Sequence, residues 1–152
     1  MGMFDVLEHV EHDEAFLRNA HRYLSDIGRI YITVPAYGWL WSNEDEAAGH
    51  CRRYSRSSLS RTLNRSGFDM VYTTYFFHFL PFPAFLLRAL PYRLGLRTDP
   101  PTIGSACAEH TLGPFASAIL GPLMHRELHR IHLGGTVPFG GSCLAVASKR
   151  TH

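Results

Sequence analysis

The sequence has few of the residues that build a disulfide or zinc framework. Its 152 residues include three cysteines, at positions 51, 107 and 143, and no two of them form a CxxC pair. Neither a disulfide-stapled domain nor a zinc knuckle is indicated, and the plain interpretation is reduced thiols in a cytoplasmic protein. An HExxH motif is also absent, because the order from His125 is His-Arg-Glu-Leu-His. His9, His12 and His50 could come together in the fold, but a structural zinc ion normally takes four fixed ligands. We therefore predict no metal site, and we interpret the cluster of His125, Glu127 and His129 as a solvated helix face.

Long apolar runs are missing as well. The most apolar stretch, residues 75–87, contains His78, Pro81 and Pro83 and falls short of the roughly 20 apolar residues that a spanning helix needs. A membrane-spanning segment is thereby excluded, whereas contact of residues 76–94 with a membrane surface stays open beside a lid or a core role.

The formal net charge is only +2, which gives no reason to expect a nucleic-acid partner. The distribution is uneven, because residues 1–48 carry nine of the 13 acidic side chains and three of the 15 basic ones. An acidic front and a basic back predict a polarised cleft, or faces that meet each other or a partner.

Hydrophobic periodicity predicts one α/β domain over residues 1–150, in the order β-α-β-α-β-α-α-β. The first predicted strand runs to Leu7, and the helix after it ends at Gly28 as a left-handed cap. A strand covered on both faces follows. The remaining predicted elements are a long loop at 36–56, a helix from Ser55 or Ser57 to Gly67, strands at 68–75 and 142–148, and helices at 76–94 and 112–131 on either side of a loop at 96–111.

Acidic and imidazole side chains come directly after the first predicted strand. His9 could contact a ligand or relay a proton to a substrate hydroxyl, or it could simply pack at the strand end. Asp5 and Glu8 could form an acid pair, and Asp5 could equally be a structural hydrogen-bond acceptor.

The loop at 36–56 is long enough to suggest a functional role. His50, Arg53 and Tyr54 could belong to a lid that grips an anionic or phenolic group, since arginine binds such groups in a bidentate way. The alternative is that Arg52 and Arg53 pair with the acidic run 44–46. Trp39 and Trp41 could stack on a substrate or anchor the loop.

Three segments together resemble the class I S-adenosylmethionine-dependent methyltransferases. They are Phe-Asp-Val-Leu-Glu-His-Val at 4–10, Gly-Arg-Ile-Tyr-Ile-Thr-Val-Pro-Ala at 28–36, and Gly-His-Cys-Arg-Arg-Tyr-Ser at 49–55. The branch that they resemble contains the ubiquinone-biosynthesis O-methyltransferases and the type 11/12 small-molecule enzymes. The resemblance implies a Rossmann-like doubly wound sheet with an antiparallel last strand. The strands of this chain would be the fourth to the seventh, with a helical insertion at about 77–131 before the last one.

The resemblance also implies the function and the site. It predicts methyl transfer from S-adenosylmethionine to a small acceptor, and the hydrophobic cover at 76–131 predicts that this acceptor is apolar-tailed. A catalytic base, where the acceptor needs one, would be His9 or His50. The implied cofactor-binding residues are Asp5, Leu7, Glu8 and His9, at the carboxyl end of a strand where ligands of open α/β sheets bind. From the side chains of the loop at 36–56, we predict Trp41, His50, Arg53 and Tyr54 as substrate-binding residues.

The family's glycine-rich loop and its ribose-binding acid would be expected upstream of Asp5, and the sequence contains neither. We therefore expect a truncated, C-terminal portion of such a domain with an incomplete cofactor site. A complementing N-terminal half is one expected partner. The alternative functions are a non-catalytic remnant or partner-binding half-domain, and a peripheral membrane-binding module.

Overall fold

The computed structural model describes residues 1–96 and 114–151, and in the second range it describes side chains from residue 120 onward. Most of the loop predicted at 96–111, with Cys107, lies outside the described residues.

The centre of the fold is a four-stranded mixed sheet in the order β1-β2-β4-β3. Strand β1 is parallel to β2, and β4 lies between β2 and β3 and is antiparallel to both. The predicted α/β class and the antiparallel last strand are thereby confirmed. The bounds are β1 Gly2–Phe4, β2 Arg29–Pro35, β3 Phe68–Phe76 and β4 Ser142–Lys149.

Seven helical segments longer than a single turn connect and cover these strands in the described chain. They are α1 Asp13–Tyr23, α2 Asn43–Ala48, α3 Arg56–Arg65, α4 Pro81–Ala84, a π-helical segment Phe85–Ala89, α5 Leu90–Arg93 and α6 Pro114–His132. Two 3-10 turns, Leu7–His9 and Gly38–Leu40, follow β1 and β2. Because α4, the π-helical segment and α5 are continuous along the chain, they form the helical stretch predicted at 76–94, beginning at Pro81.

The buried core lies between the sheet and helices α1 and α3. Leu17 of α1 and Leu59 and Leu63 of α3 are fully buried, together with Ile30 and Ile32 of β2. The helical spacing of these leucines explains why both helices were predictable. None of the described helices is long and apolar enough to cross a membrane.

Two predictions for the region around β2 were wrong. The strand is covered on one face only in the described chain, since Ile30, Ile32 and Val34 are buried whereas Tyr31 between them is 43% exposed. Gly28 is not a left-handed cap, because α1 ends in extended backbone at Leu24. A side chain at position 28 would instead meet Leu24 Cγ at 2.6 Å, so close packing is what requires glycine there.

The segment at 36–56 is not one long loop. It contains the second 3-10 turn and α2, whose N-terminus is closed by a reciprocal capping box between Ser42 and Asp45. Gly49 ends the helix in the left-handed conformation, with φ 72°. The helix was missed because six residues with one buried side chain give no usable hydrophobic period.

Candidate functional site

The polar residues after β1 lie at the edge of the sheet where the parallel strands β1 and β2 end. Asp5 has a positive φ of 51°. Its backbone N–H donates to the Thr33 carbonyl oxygen at 3.1 Å, and its Oδ1 accepts from Thr33 Oγ1 at 3.2 Å. Asp5 thus acts as a hydrogen-bond partner of the neighbouring strand, which is the structural alternative considered for it.

The 3-10 turn after β1 separates its three side chains. Leu7 is fully buried in the core, Glu8 is 1% exposed, and His9 is exposed. Burial, and secondarily the charge of Asp5, raises the pKa of the Glu8 carboxyl. The turn therefore presents a hidden carboxylate beside an accessible imidazole.

The segment 49–55 folds back onto this turn. The backbone N–H of Cys51 donates to the Glu8 carbonyl oxygen at 2.6 Å, and the Arg52 guanidinium donates to the Glu11 carbonyl oxygen at 2.6 Å. The imidazole rings of His9 and His50 meet edge to face with their centroids 4.8 Å apart. Two motifs that are about 40 residues apart in the sequence are thereby joined at one edge of the sheet.

Asp45 binds His50 and Arg53 of the segment 49–55, and its side chain is completely buried. Its Oδ1 lies 2.8 Å from His50 Nδ1 and accepts from Arg53 Nε at 2.7 Å, while Oδ2 accepts from the Ser42 N–H at 2.9 Å. Burial would raise the pKa of Asp45, but the hydrogen bonds from Arg53 and His50 outweigh it and hold that pKa below its ordinary value. Sequence reasoning treated Asp45 only as a pairing partner for an arginine. The capping-box spacing Ser42-x-x-Asp45 was the available signal.

Arg53 and Tyr54 make hydrogen bonds within the protein. Arg53 Nη1 also donates to the Ala36 carbonyl oxygen at 3.1 Å, so two nitrogens of its guanidinium are hydrogen-bonded within the protein. Tyr54 is 3% exposed, and its hydroxyl donates to Asp13 Oδ2 at 2.8 Å. The pairing of Arg53 with the acidic run is the alternative that the structure favours over a gripping lid, and Tyr54 is too deeply buried to contact a substrate.

The core position of Tyr54 predicts a stability effect. We expect Tyr54→Phe to lower the free energy of unfolding by about 1–2 kcal/mol, because Asp13 loses a buried hydrogen-bond donor. The cost stays moderate because Arg52 Nη1 still contacts Asp13 Oδ2 at 3.2 Å. Urea unfolding followed by circular dichroism measures it, with the exposed Tyr23→Phe as control. Equal stability of the two variants would contradict the core assignment.

Aromatic side chains form a stacked cluster next to β3 and the turn before β4. Tyr37 stacks on Tyr75 at 4.9 Å and on Trp39 at 5.4 Å, and Trp39 stacks on Phe139 at 6.3 Å between ring centroids. Trp39 also contacts Phe85 edge to face, with the ring centroids 5.5 Å apart. These contacts support the alternative in which Trp39 anchors the segment 36–56. Trp41 is half-buried, and its predicted contact with substrate stays a prediction.

A cavity of about 600 Å³ lies between α6 and the turn before β4. Phe139 of the aromatic cluster lines it, together with His78, Leu123, Arg126, Glu127 and Arg130. The Glu127 carboxylate accepts from the backbone N–H groups of Phe77 at 2.6 Å and His78 at 3.0 Å, and it contacts the His78 ring. Glu127 thus fastens α6 to the end of β3 and leaves the two arginines on the cavity wall.

Residues 1–73 match the family model described as a methyltransferase domain. This segment, just under half of the chain, is thus similar to methyltransferase domains. The match contains β1, β2 and the whole polar edge described above, and it confirms the family that the three sequence segments indicated. The ubiquinone-biosynthesis branch stays a prediction.

One solved structure shares the fold of this chain. It is a complex between the Haloferax volcanii Trm112 methyltransferase activator and a protein assigned as a methyltransferase, with 12% identity and a TM-score of 0.51 over 99% of this chain and 53% of that one. Two further matches have TM-scores of 0.48, which carry no weight for the fold. They are Haemonchus contortus phosphoethanolamine N-methyltransferase 2 in complex with S-adenosyl-L-methionine (14% identity, 99% of this chain, 33% of that one) and the [4+2]-cyclase SpnF (15%, 99% and 50%).

The chain thus spans about half or less of the length of these solved structures. No curated protein sequence matches it.

Proposed function

We propose that this chain forms the acceptor-side part of an S-adenosylmethionine-dependent methyltransferase that acts on a small, apolar-tailed acceptor. The observation that carries the proposal is the convergence of Glu8, His9 and His50 at the carboxyl edge of the parallel strands, within a chain whose first half matches the methyltransferase family. Ligands of open α/β sheets bind at this edge.

Methyl transfer requires mainly that the protein position the methyl donor and the acceptor. The carbon–sulfur bond of the sulfonium breaks as the acceptor atom bonds to the methyl carbon, and the electron pair stays on sulfur. The donor is already activated, so the protein aligns the two reactants and excludes water. In this proposal Asp5, Glu8 and His9 face the methionine end of the cofactor, and Leu7 packs behind them. His9 and His50 face the acceptor.

The acceptor class follows from the aromatic cluster and the cavity beside it. A volume of about 600 Å³ lies within the usual range for small-molecule pockets. Phe139 stacks with Trp39 and also lines the cavity. An acceptor with an apolar tail is the ligand that such a wall favours, and Arg126 and Arg130 add positive charge that suits an anionic group on it.

We assign the binding site for the ribose end of the cofactor to polypeptide other than the described residues. Strand β1 pairs only with β2 among the described residues, so its outer edge is open there. No junction between a strand and a helix carries a glycine-rich loop within the described ranges. We assign the completing segment to a chain portion that pairs with this edge, and a complementing N-terminal half fits that role.

The proposal is tested by adding millimolar S-adenosylhomocysteine to the isotope-labelled chain and recording proton–nitrogen correlation spectra. We expect saturable shifts of the amides from Asp5 to Val10, and none in α3. Replacing His9 by alanine should weaken the response, whereas replacing the exposed His12 should not. Spectra that do not change at any concentration would reject cofactor binding and favour a non-catalytic, partner-binding half-domain.

A second candidate function is contact with a membrane surface. Phe82, Leu86 and Leu87 are 71%, 58% and 72% exposed on neighbouring turns of the helix from Pro81 to Arg93. Exposed apolar side chains on one helix are typical of interfacial segments. Vesicle co-sedimentation tests this candidate with the double variant Phe82→Asp, Leu87→Asp against Tyr23→Asp, which changes an exposed aromatic side chain on α1. Sedimentation that the double variant leaves unchanged would dismiss it.

A further inference from the structure

Glu8, His9 and His50 offer three metal-binding atoms in one place. One ligand atom from each lies within 4.8 Å of the other two. Glu8 and His9 come from the turn after β1, and His50 comes from the segment after α2. The cluster therefore needs the tertiary fold, and its ligands are two imidazoles and one carboxylate.

The Glu8 carboxylate lacks a partner that its burial requires. Its side chain is 1% exposed, and Oε2 is inaccessible to solvent without a hydrogen bond from any residue that the structure describes. A buried acceptor without a partner costs about 1–3 kcal/mol, and more when it is charged. A cation held by His9 and His50 would satisfy this oxygen.

His50 is already oriented for such an ion. Its Nδ1 is bonded to Asp45, and Asp45 is in turn fixed by Arg53 and the Ser42 N–H. A carboxylate on one ring nitrogen fixes the tautomer and the ring direction, and it leaves Nε2 for a metal. This is the arrangement in which metal-binding histidines are usually found.

Other histidine clusters of the described chain lack these features. The Glu127 carboxylate beside His78 is already bonded to two backbone N–H groups and to the ring. His125, His129 and His132 share a helix surface with Leu128 and Ile131 and have no carboxylate among them.

We propose that Glu8, His9 and His50 bind a divalent transition-metal ion, with Zn²⁺ as the first candidate. Two imidazoles and a carboxylate are a ligand set of open zinc sites, and the same set accepts Co²⁺, Mn²⁺ and Fe²⁺. Ligands on a tetrahedral ion with bonds of about 2.1 Å lie about 3.4 Å apart, so the cluster contracts by about 1 Å on binding. His9 is exposed and can rotate to supply that movement.

Three protein ligands leave one position of the ion open. If the proposed function holds, on which this step alone rests, Glu8, His9 and His50 would hold the ion beside the acceptor, and the ion would supply positive charge that makes an acceptor hydroxyl easier to deprotonate. Such a site would favour an oxygen acceptor, and this proposal departs from the sequence-based prediction of no metal.

The test uses the chelator-treated chain and Co²⁺ or Zn²⁺ without any cofactor, so its result is independent of methyl transfer. We expect one equivalent of Co²⁺ to produce visible ligand-field bands that Zn²⁺ abolishes. Glu8→Gln and His9→Ala should each weaken Zn²⁺ binding by at least about 100-fold, since even outer-shell changes cost 10–100-fold. Asp45→Asn should show that smaller, outer-shell loss.

Matched controls remove neighbouring metal-binding atoms outside the cluster. Cys51→Ser removes the exposed thiol that lies next to His50, and His12→Ala removes an exposed imidazole near the same turn. Both should bind Zn²⁺ as the original chain does. His9→Ala changes an exposed side chain, so its folding is not at risk. Absence of a one-to-one Co²⁺ complex, or equal affinity of His9→Ala and His12→Ala, would overturn the site.

Discussion

Replacing Asp45 by alanine is expected to lower the free energy of unfolding by about 3–5 kcal/mol, because it leaves the Arg53 guanidinium buried without its partner. The Arg53 side chain is only 15% exposed, and the Asp45 side chain is 0% exposed. The substitution also removes the acceptors of His50 and of the Ser42 N–H. Urea unfolding followed by circular dichroism gives the difference.

The matched control is Glu44→Ala in the same short helix. Glu44 pairs with Arg88 at 2.6 Å, but these side chains are 31% and 46% exposed. Ion pairs of that exposure contribute at most about 1 kcal/mol. Equal losses in the two variants would show that Asp45 does not hold the segment together.

The contribution of Asp45 should also depend on pH. Its pKa in the folded protein lies below the ordinary value of 3.8, because hydrogen bonds from Arg53 and His50 outweigh the effect of burial. A lowered pKa adds stability that is complete above the ordinary value and is lost as the pH falls through the folded-state pKa. The stability difference between the original chain and Asp45→Ala should therefore shrink in acid. A difference that grows as the pH falls would contradict this.

The second large effect is expected for Gly140→Ala. A Cβ at this position would lie 2.3 Å from the Phe76 carbonyl oxygen and 2.8 Å from the Phe76 carbonyl carbon. Both atoms belong to the backbone of β3, so the strand and the turn before β4 must move apart. We expect a loss of about 2–3 kcal/mol or more, as for other overpacked sites, measured by thermal or urea unfolding.

Gly38→Ala is the control for this substitution. A Cβ there has no neighbouring atom within 4 Å, and surface changes of this kind usually stay within about 0.5 kcal/mol. If Gly140→Ala were as stable as Gly38→Ala, the close approach of the turn to β3 would be wrong. The cavity wall built by Phe139 would then also need revision.

The elements with strong hydrophobic periods were predictable from the sequence. Helix α3 begins after Ser55 and buries Leu59 and Leu63, as their spacing indicated. Strand β4 was placed within one residue of its observed end at Lys149. In these elements the local pattern and the tertiary packing agree, so the pattern alone was sufficient.

The elements that local pattern failed to describe depend on distant contacts. Helix α2 is held by a capping box and by Asp45, and Gly28 is required by its approach to Leu24 and not by its own backbone angle. The apolar run in β2 gave no sign that Tyr31 would be 43% exposed. A one-dimensional pattern contains no information on which face another element covers.

Some features of the candidate site were likewise predictable from the sequence, and others depended on the tertiary structure. The sequence by itself indicated the family and the order of the strands, and it predicted the residues Asp5, Glu8, His9 and His50, because short motifs and periods are local properties. Only the tertiary structure decided that Leu7 and Tyr54 belong to the core and that Glu8 is buried beside two imidazoles. These outcomes depend on the return of residues 49–55 to the turn after β1, a contact across about 40 residues that no local spacing encodes.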